Sequence, residues 1–163
     1  MSIIEWTDRL KAEREQKDQF FALHPQSPIP MQSRADFEGL DYFPPDSHYY
    51  FELEINPHEE KEIIQAADTS GHIQEMVRWG EFRFIIEDEE CKLQAYQSNP
   101  SEARLFIPFR DATSGEETYG AGRYLDLEPE RHLTADGKWI LDFNKAYNPW
   151  CVPCPHPTCP FVP

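Results

Sequence analysis

The hydrophobic pattern near the start of the chain is that of a helix. Residues 3–23 contain opposite charges four positions apart, such as Glu5 and Arg9, while apolar residues gather at the two ends of the segment. Ser2 stands three residues before Glu5, as in a capping box. The pattern predicts an N-terminal helix from Ile3 to Leu23 that lies across a sheet and ends at the proline-containing segment HPQSPIP.

The period changes to two in HYYFELEI, which begins at His48 and places alternate apolar side chains on one face. Seven further segments have strand composition and are separated by turn signals such as TSG, WG, EDEE and ADG: EIIQAAD, HIQEMVRW, EFRFIIE, CKLQAYQ, RLFIPF, RYLDL and WILDF. Their spacing of about 8 to 12 residues is typical of antiparallel sheets. No helical pattern recurs between them, which argues against a parallel sheet. We therefore predict a mainly β fold, an antiparallel β-sandwich or barrel with an N-terminal α-helix packed across it.

The chain has 163 residues, of which 39% are hydrophobic, and this is enough for the core of one domain. We predict a single domain over residues 1–163. It comprises the N-terminal helix in residues 1–24, a β core in residues 37–148 and a tail rich in proline and cysteine in residues 149–163.

The net charge argues against several classes of partner. Thirty acidic and 15 basic residues give a formal charge of -15, which opposes binding to nucleic acid or to an anionic membrane. Lysines are fewer than arginines, so the dense acidic surface is either an adaptation to high salt or an ordinary soluble surface. The first twenty residues have no basic segment followed by an apolar one, and no apolar run approaches the roughly 18 residues of a membrane helix. We expect a cytoplasmic location, where thiols stay reduced.

Polar, glycine and aromatic residues are concentrated after Leu105 to a degree that a core does not require. Two glycines in YGAGRYL allow a close approach of the backbone, and Arg123 beside tyrosines can clamp a carboxylate or phosphate. We predict a pocket for a small polar or anionic molecule, built from two segments of the chain. Its candidate binding residues are Arg110, Asp111, Ser114, Glu117, Thr118, Tyr119, Arg123, Tyr124, Asp142, Asn144 and Tyr147.

Structural explanations for the same residues remain open. In DATSGEET, Asp111 and Thr113 can accept hydrogen bonds from amides two residues on, which is ordinary turn chemistry. Arg123 can form a buried ion pair with Asp111, Glu117 or Asp142. Asp142 and Asn144 share one face of the predicted strand that contains LDF, and this face either lines the pocket or faces solvent.

An enzyme is the second hypothesis. A hydrolase or isomerase would use Asp111, Glu117 or Asp142 as acid or base, provided that a carboxyl group in the pocket has a perturbed pKa. The chain has no GxSxG elbow, no P-loop, no GxGxxG after a strand and no HExxH. The type of reaction is therefore not defined.

The segment CVPCPHPTC gives a third hypothesis, a zinc-stabilised interaction protein. Three thiolates and one imidazole are a chemically reasonable zinc site, and the sequence defines no cofactor beyond this candidate. The alternatives are a disulfide, such as one between Cys151 and Cys159, or reduced thiols. The candidate ligands are Cys151, Cys154, His156 and Cys159.

The segments PFRDATSGEETYGAGRYL and DFNKAYNPWC together resemble the signature of a known family of uncharacterised bacterial and archaeal proteins, a domain of unknown function. The shared pattern is PF-x-D-x-TSG-x-x-TY-x-x-GRYL followed by DFN-x-AYNP-x-C. The segment FEGLDYFPPD near residue 40 and the leading helix are also similar. The resemblance implies membership of a family with no established activity.

Overall fold

The computed structural model describes residues 2–27, 29–40, 42–67, 71–98, 103–114, 116 and 122–147, without the side chains of residues 66 and 67. Helix α1 covers Ile3–Leu23. Ser2 Oγ accepts a hydrogen bond from the Glu5 amide at 3.2 Å, and the Glu5 carboxylate accepts one from the Ser2 amide at 2.9 Å. The predicted helix and its capping box are confirmed.

The remaining elements are mostly strands. In chain order they are 3-10 helices at Met31–Asp36 and Ser47–Tyr49, β1 Tyr50–Leu53, β2 Asn56–Ala67, β3 Ile73–Ile86, β4 Glu89–Gln97, β5 Leu105–Phe109, β6 Arg123–Leu127, helix α2 Pro129–His132, β7 Trp139–Asp142 and a 3-10 helix at Phe143–Lys145. Strands β1 and β7 form one antiparallel sheet, and the other sheet has the order β2-β3-β4-β5-β6. Over the described ranges neither sheet closes into a barrel, and the predicted mainly β, sandwich-like fold is confirmed.

Two of the predicted strands are in fact one. HIQEMVRW and EFRFIIE form the continuous strand β3, in which the register against β4 shifts between Arg78 and Gly80. A Cβ atom at Gly80 would lie 2.8 Å from the Asn56 carbonyl oxygen, so this glycine serves the close approach of β2 and makes no turn. The predicted EDEE turn is real: Glu87 and Asp88 have φ of 50° and 65°, as a two-residue hairpin turn requires.

The core lies between the two sheets. Phe82, Ala95, Leu105, Ile107, Leu125 and Leu127 from the large sheet pack against Trp139 and Leu141 of β7. Alternate residues of β6 therefore face this core, and Tyr124 and Asp126 lie on the opposite face. Within the part of the chain that is described, no helix has the length and apolar character needed to cross a membrane.

Candidate functional site

Arg123 begins β6 and forms an ion pair with a carboxylate of the preceding loop. Its Nη2 lies 2.6 Å from Asp111 Oδ2, and the exposed fractions of the two side chains are 12% and 37%. The buried ion pair that the sequence left as an alternative is thus present, although its carboxylate is partly open to solvent. The cation is the more deeply placed member of the pair.

Two aromatic rings flank the Arg123 guanidinium. Its carbon lies 5.2 Å from the centre of the Phe109 ring and 5.8 Å from that of Phe43. The Phe109 ring in turn makes an edge contact with Phe143, with ring centres 5.5 Å apart. Arg123 Nε is buried and has no hydrogen-bond partner among the described residues. The guanidinium is thus held against apolar rings with one of its donors unused.

The Asp111 loop follows the predicted turn chemistry. Asp111 Oδ1 accepts hydrogen bonds from the Thr113 amide at 2.9 Å and the Thr113 hydroxyl at 2.5 Å, while Ser114 Oγ accepts one from the Asp111 amide. Burial acts to raise the pKa of Asp111, but the bonds from Thr113 and the charge of Arg123 together hold that pKa below its ordinary value. Arg110 next to it is exposed. The carboxyl group is therefore ionised near neutral pH.

Tyr124 and Tyr147 belong to a different polar group, on the other face of β6. Their backbones form a reciprocal bridge, and their rings meet edge to face at 5.6 Å. The Tyr147 hydroxyl donates to Asp126 Oδ2 at 2.5 Å, and Arg104 Nη2 lies 2.9 Å from Asp126 Oδ1. Burial and the neighbouring Asp126 raise the pKa of Tyr147 well above its ordinary value. These tyrosines do not join Arg123 in one pocket.

Asp142 and Asn144 do not share a strand face as expected, because β7 ends at Asp142 and Asn144 lies in the following 3-10 helix. The two residues nevertheless meet. Asp142 Oδ1 accepts from the Asn144 amide at 3.0 Å and from Asn144 Nδ2 at 2.8 Å, while Asp142 Oδ2 accepts from Trp6 Nε1 at 2.9 Å. Asn144 also exchanges two hydrogen bonds with the Asp46 backbone, each at 2.8 Å. Both oxygens of this buried carboxylate hold α1 and the loop to the sheet.

Several predicted residues lie outside the described part of the chain. They are Glu117, Thr118 and Tyr119 of the pocket and the zinc candidates Cys151, Cys154, His156 and Cys159. Within the described ranges no group of three or more His, Cys, Asp or Glu side chains is placed to hold a metal ion. The assignment of ligand-binding and metal-binding residues stays a prediction.

Sequence reasoning missed the residues that surround the predicted site from elsewhere in the chain. Phe43 reaches Arg123 from the FEGLDYFPPD segment, and its carbonyl accepts a hydrogen bond from Arg14 Nη1 at 2.8 Å. The likeness of that segment to the family was a signal for Phe43. No pattern in the helix distinguished Arg14 from the other charged residues of α1.

The fold and this polar region define a class, a mainly β, sandwich-like domain with an N-terminal helix held across the end of the small sheet. Residues 35–163 match the model of the family described as Protein of unknown function (DUF1684), and the chain belongs to that family. It is also similar to an uncharacterised protein of Haloarcula marismortui whose structure was determined by solution NMR. The two are 39% identical with a TM-score of 0.70, over 98% of this chain and 86% of the other. Among curated proteins none matches.

Proposed function

We propose that this protein binds a small molecule with a carboxylate group at Arg123. The observation that supports the proposal is a guanidinium only 12% exposed whose buried Nε has no partner within the described ranges. A buried donor left without an acceptor costs about 1–3 kcal/mol, so an acceptor supplied by a ligand would be favourable.

The contact with Asp111 uses only one of the two nitrogens on one edge of the Arg123 guanidinium. Nε and Nη2 form the edge of a guanidinium that binds a carboxylate through two parallel hydrogen bonds. Asp111 contacts only Nη2, because its other oxygen accepts hydrogen bonds from Thr113. A ligand carboxylate that displaced Asp111 would engage both nitrogens. Asp111 would then return to solvent, to which it is already 37% exposed.

The surroundings favour a ligand with a flat or apolar body. The Phe43 ring beside the guanidinium is 41% exposed, whereas the Phe109 ring is buried. A benzoate-like molecule would combine one carboxylate with surface that packs on the Phe43 ring.

The described carboxylates support binding more than acid–base catalysis. A catalytic acid near neutral pH needs a raised pKa, whereas the pKa of Asp111 is lowered. Asp142 is buried, and both its oxygens accept hydrogen bonds from Trp6 and Asn144. Each of the two carboxylates therefore has a structural partner.

The test is a titration of 15N-labelled protein with sodium benzoate and, separately, sodium acetate, each against sodium chloride at equal ionic strength. We expect a saturable shift of the Arg123 Nε–Hε signal, stronger with benzoate. Arg123→Lys should abolish saturable binding because a lysine lacks the two-nitrogen edge.

The control is Arg83→Lys, since Arg83 also pairs with a carboxylate, that of Glu81 at 2.7 Å, but on strand β3. This variant should bind benzoate as the parent protein does. The proposal fails if benzoate shifts the signals no more than chloride does, or if both variants lose the response equally while remaining folded.

A further inference from the structure

A cleft between α1 and the 3-10 helix Phe143–Lys145 is lined by basic side chains other than Arg123. It is a cavity of about 100 Å³ whose lining includes Arg14 and Lys17 from α1, Asn144 and Lys145 from the 3-10 helix, and Tyr42. Acidic residues outnumber basic ones by 30 to 15 in the whole chain. Three basic residues around one small cavity therefore reverse the overall charge locally.

One of these three cations has a direct counter-ion. Lys145 Nζ lies 3.0 Å from Glu13 Oε2, and Glu13 also lines the cavity. Arg14 instead donates to two neutral acceptors, the carbonyl oxygens of Phe43 at 2.8 Å and Asn144 at 3.0 Å. Its Nε is buried and finds no acceptor within the described ranges. The charge of Arg14 is thus not matched by a carboxylate in contact with it.

Lys17, like Arg14, has no carboxylate in contact with it within the described ranges. Its ammonium lies 4.8 Å from the centre of the Tyr147 ring, and burial lowers its pKa although Asp18 and Asp126 act in the opposite direction. In the part of the chain that the structure describes, neither Lys17 nor Arg14 forms an ion pair.

The acidic groups that act on Arg14 and Lys17 through space do not form ion pairs with them in the described part of the chain. Asp142 acts on Arg14 through space, but its oxygens accept hydrogen bonds from Trp6 and Asn144. Asp18 accepts hydrogen bonds from the Leu40 amide and the Tyr42 hydroxyl. Partly buried cations without a counter-ion are costly, and an anion between them would remove that cost.

We propose that this cleft binds a small oxyanion of the size of inorganic phosphate. A cavity of about 100 Å³ has room for about three waters at roughly 30 Å³ each, which is enough for one such anion. Lys17 and Lys145 supply ammonium donors, and the Arg14 side chain that lines the same cavity adds a third positive charge. The cleft uses none of the groups assigned above to the carboxylate site at Arg123.

The test is a calorimetric titration with inorganic phosphate at constant ionic strength, together with backbone amide shifts. We expect one phosphate per chain and shifts at residues 13–17 and 144–146. Lys17→Met keeps an unbranched side chain but removes the ammonium beside the Tyr147 ring, so phosphate affinity should fall by about tenfold or more, which corresponds to about 1.4 kcal/mol.

Lys11→Met is the matched control, because Lys11 is an exposed lysine of the same helix and the change in net charge is the same. It should alter phosphate affinity less than about twofold, roughly 0.4 kcal/mol. Equal losses in both variants, or no saturable binding of phosphate to the parent protein, would overturn the proposal.

Two further variants complete the design. Lys145→Met should weaken phosphate binding as Lys17→Met does. It takes the place of Lys17→Met if that variant does not fold. A folded Lys145→Met protein that keeps the parent affinity for phosphate would count against the site. Arg123→Lys should leave phosphate binding intact, so the failure of one proposal is distinguishable from the failure of the other.

Discussion

Asp111 shows how the contacts of a single residue determine its ionisation. The hydrogen bonds from Thr113 and the charge of Arg123 favour the carboxylate in the folded protein and outweigh the opposing effect of burial. The pKa of Asp111 is thus below its ordinary value of 3.8, which it regains on unfolding. A group of this kind stabilises the fold above its unfolded pKa and loses that contribution as the pH falls through its folded pKa.

Asp111→Asn should therefore lower the free energy of unfolding at pH 7 and have less effect as the pH falls below about 4. Because Asp111 is 37% exposed, we expect a loss of about 1 kcal/mol or less at pH 7. Urea unfolding at pH 7 and pH 3 measures the difference between the proteins. Glu38→Gln removes one negative charge from an exposed residue and serves as the control. A difference that stays constant between the two pH values would contradict the assigned pKa shift.

At the scale of elements, α1 is attached to the rest of the protein by a few specific contacts. Trp6 is buried, donates to Asp142 and meets the Tyr50 ring edge to face at 6.2 Å. Further along the helix, Phe21 packs in a separate small cluster with Ile29. The central part of α1 carries Arg14 and Lys17 over the cleft. The position of the helix therefore determines the geometry of the proposed oxyanion site.

Trp6→Phe removes the hydrogen bond to Asp142 while keeping an aromatic ring. A bond to a charged group contributes about 1.5–3 kcal/mol, and we expect a loss of that order in the free energy of unfolding by urea. Trp79→Phe is the control, because Trp79 is half-buried on strand β3 and its ring contacts a cation instead of a carboxylate. Lys61 Nζ lies 4.9 Å from the ring centre. Equal losses in the two variants would show that ring size, and not the bond to Asp142, explains the result.

At the scale of the whole molecule, the dominant feature is the formal charge of -15. Such an excess of like charge opposes the compact state by self-repulsion, and dissolved salt screens it over a distance of about 10 Å at 0.1 M. Strand β2 illustrates the density, since Glu59, Glu60 and Glu62 lie close together at the edge of the large sheet, with Lys61 between the last two. Acidic side chains on such an edge also discourage pairing with a second sheet.

Sodium chloride should consequently raise the free energy of unfolding measured in urea, and the rise should level off once the repulsion is screened. The double variant Glu59→Gln with Glu60→Gln changes the formal charge from -15 to -13 and should respond less steeply to salt. A stability that is flat or falls with salt would indicate that ion pairs outweigh the repulsion. The interpretation of the surface as an adaptation to high salt stays a prediction until this is measured.

Features that depend on residues close in sequence could be predicted from the sequence. The capping box joins Ser2 and Glu5, three residues apart, and the hairpin turn at Glu87 and Asp88 depends on local conformation. The turn in which Asp111 accepts a hydrogen bond from the Thr113 amide is also set by residues close in sequence. Gly80 was misread because a glycine that ends a strand and one that allows another strand to approach look alike in a sequence. The strand predicted at WILDF ended one residue early because Asp142 caps the 3-10 helix that follows.

The sequence by itself determined the fold class, the N-terminal helix, the membership of a family of unknown function and the presence of a polar segment around Arg123, since these follow from local periodicity, capping and residue types. Only the tertiary structure decided which polar residues meet. The pleat of β6 separates Arg123 from Tyr124, and the fold brings Phe43 to Arg123 and Arg14 to Asn144. The physical reason is that contacts between distant residues depend on strand order and on the placement of α1, neither of which any short stretch of the chain encodes.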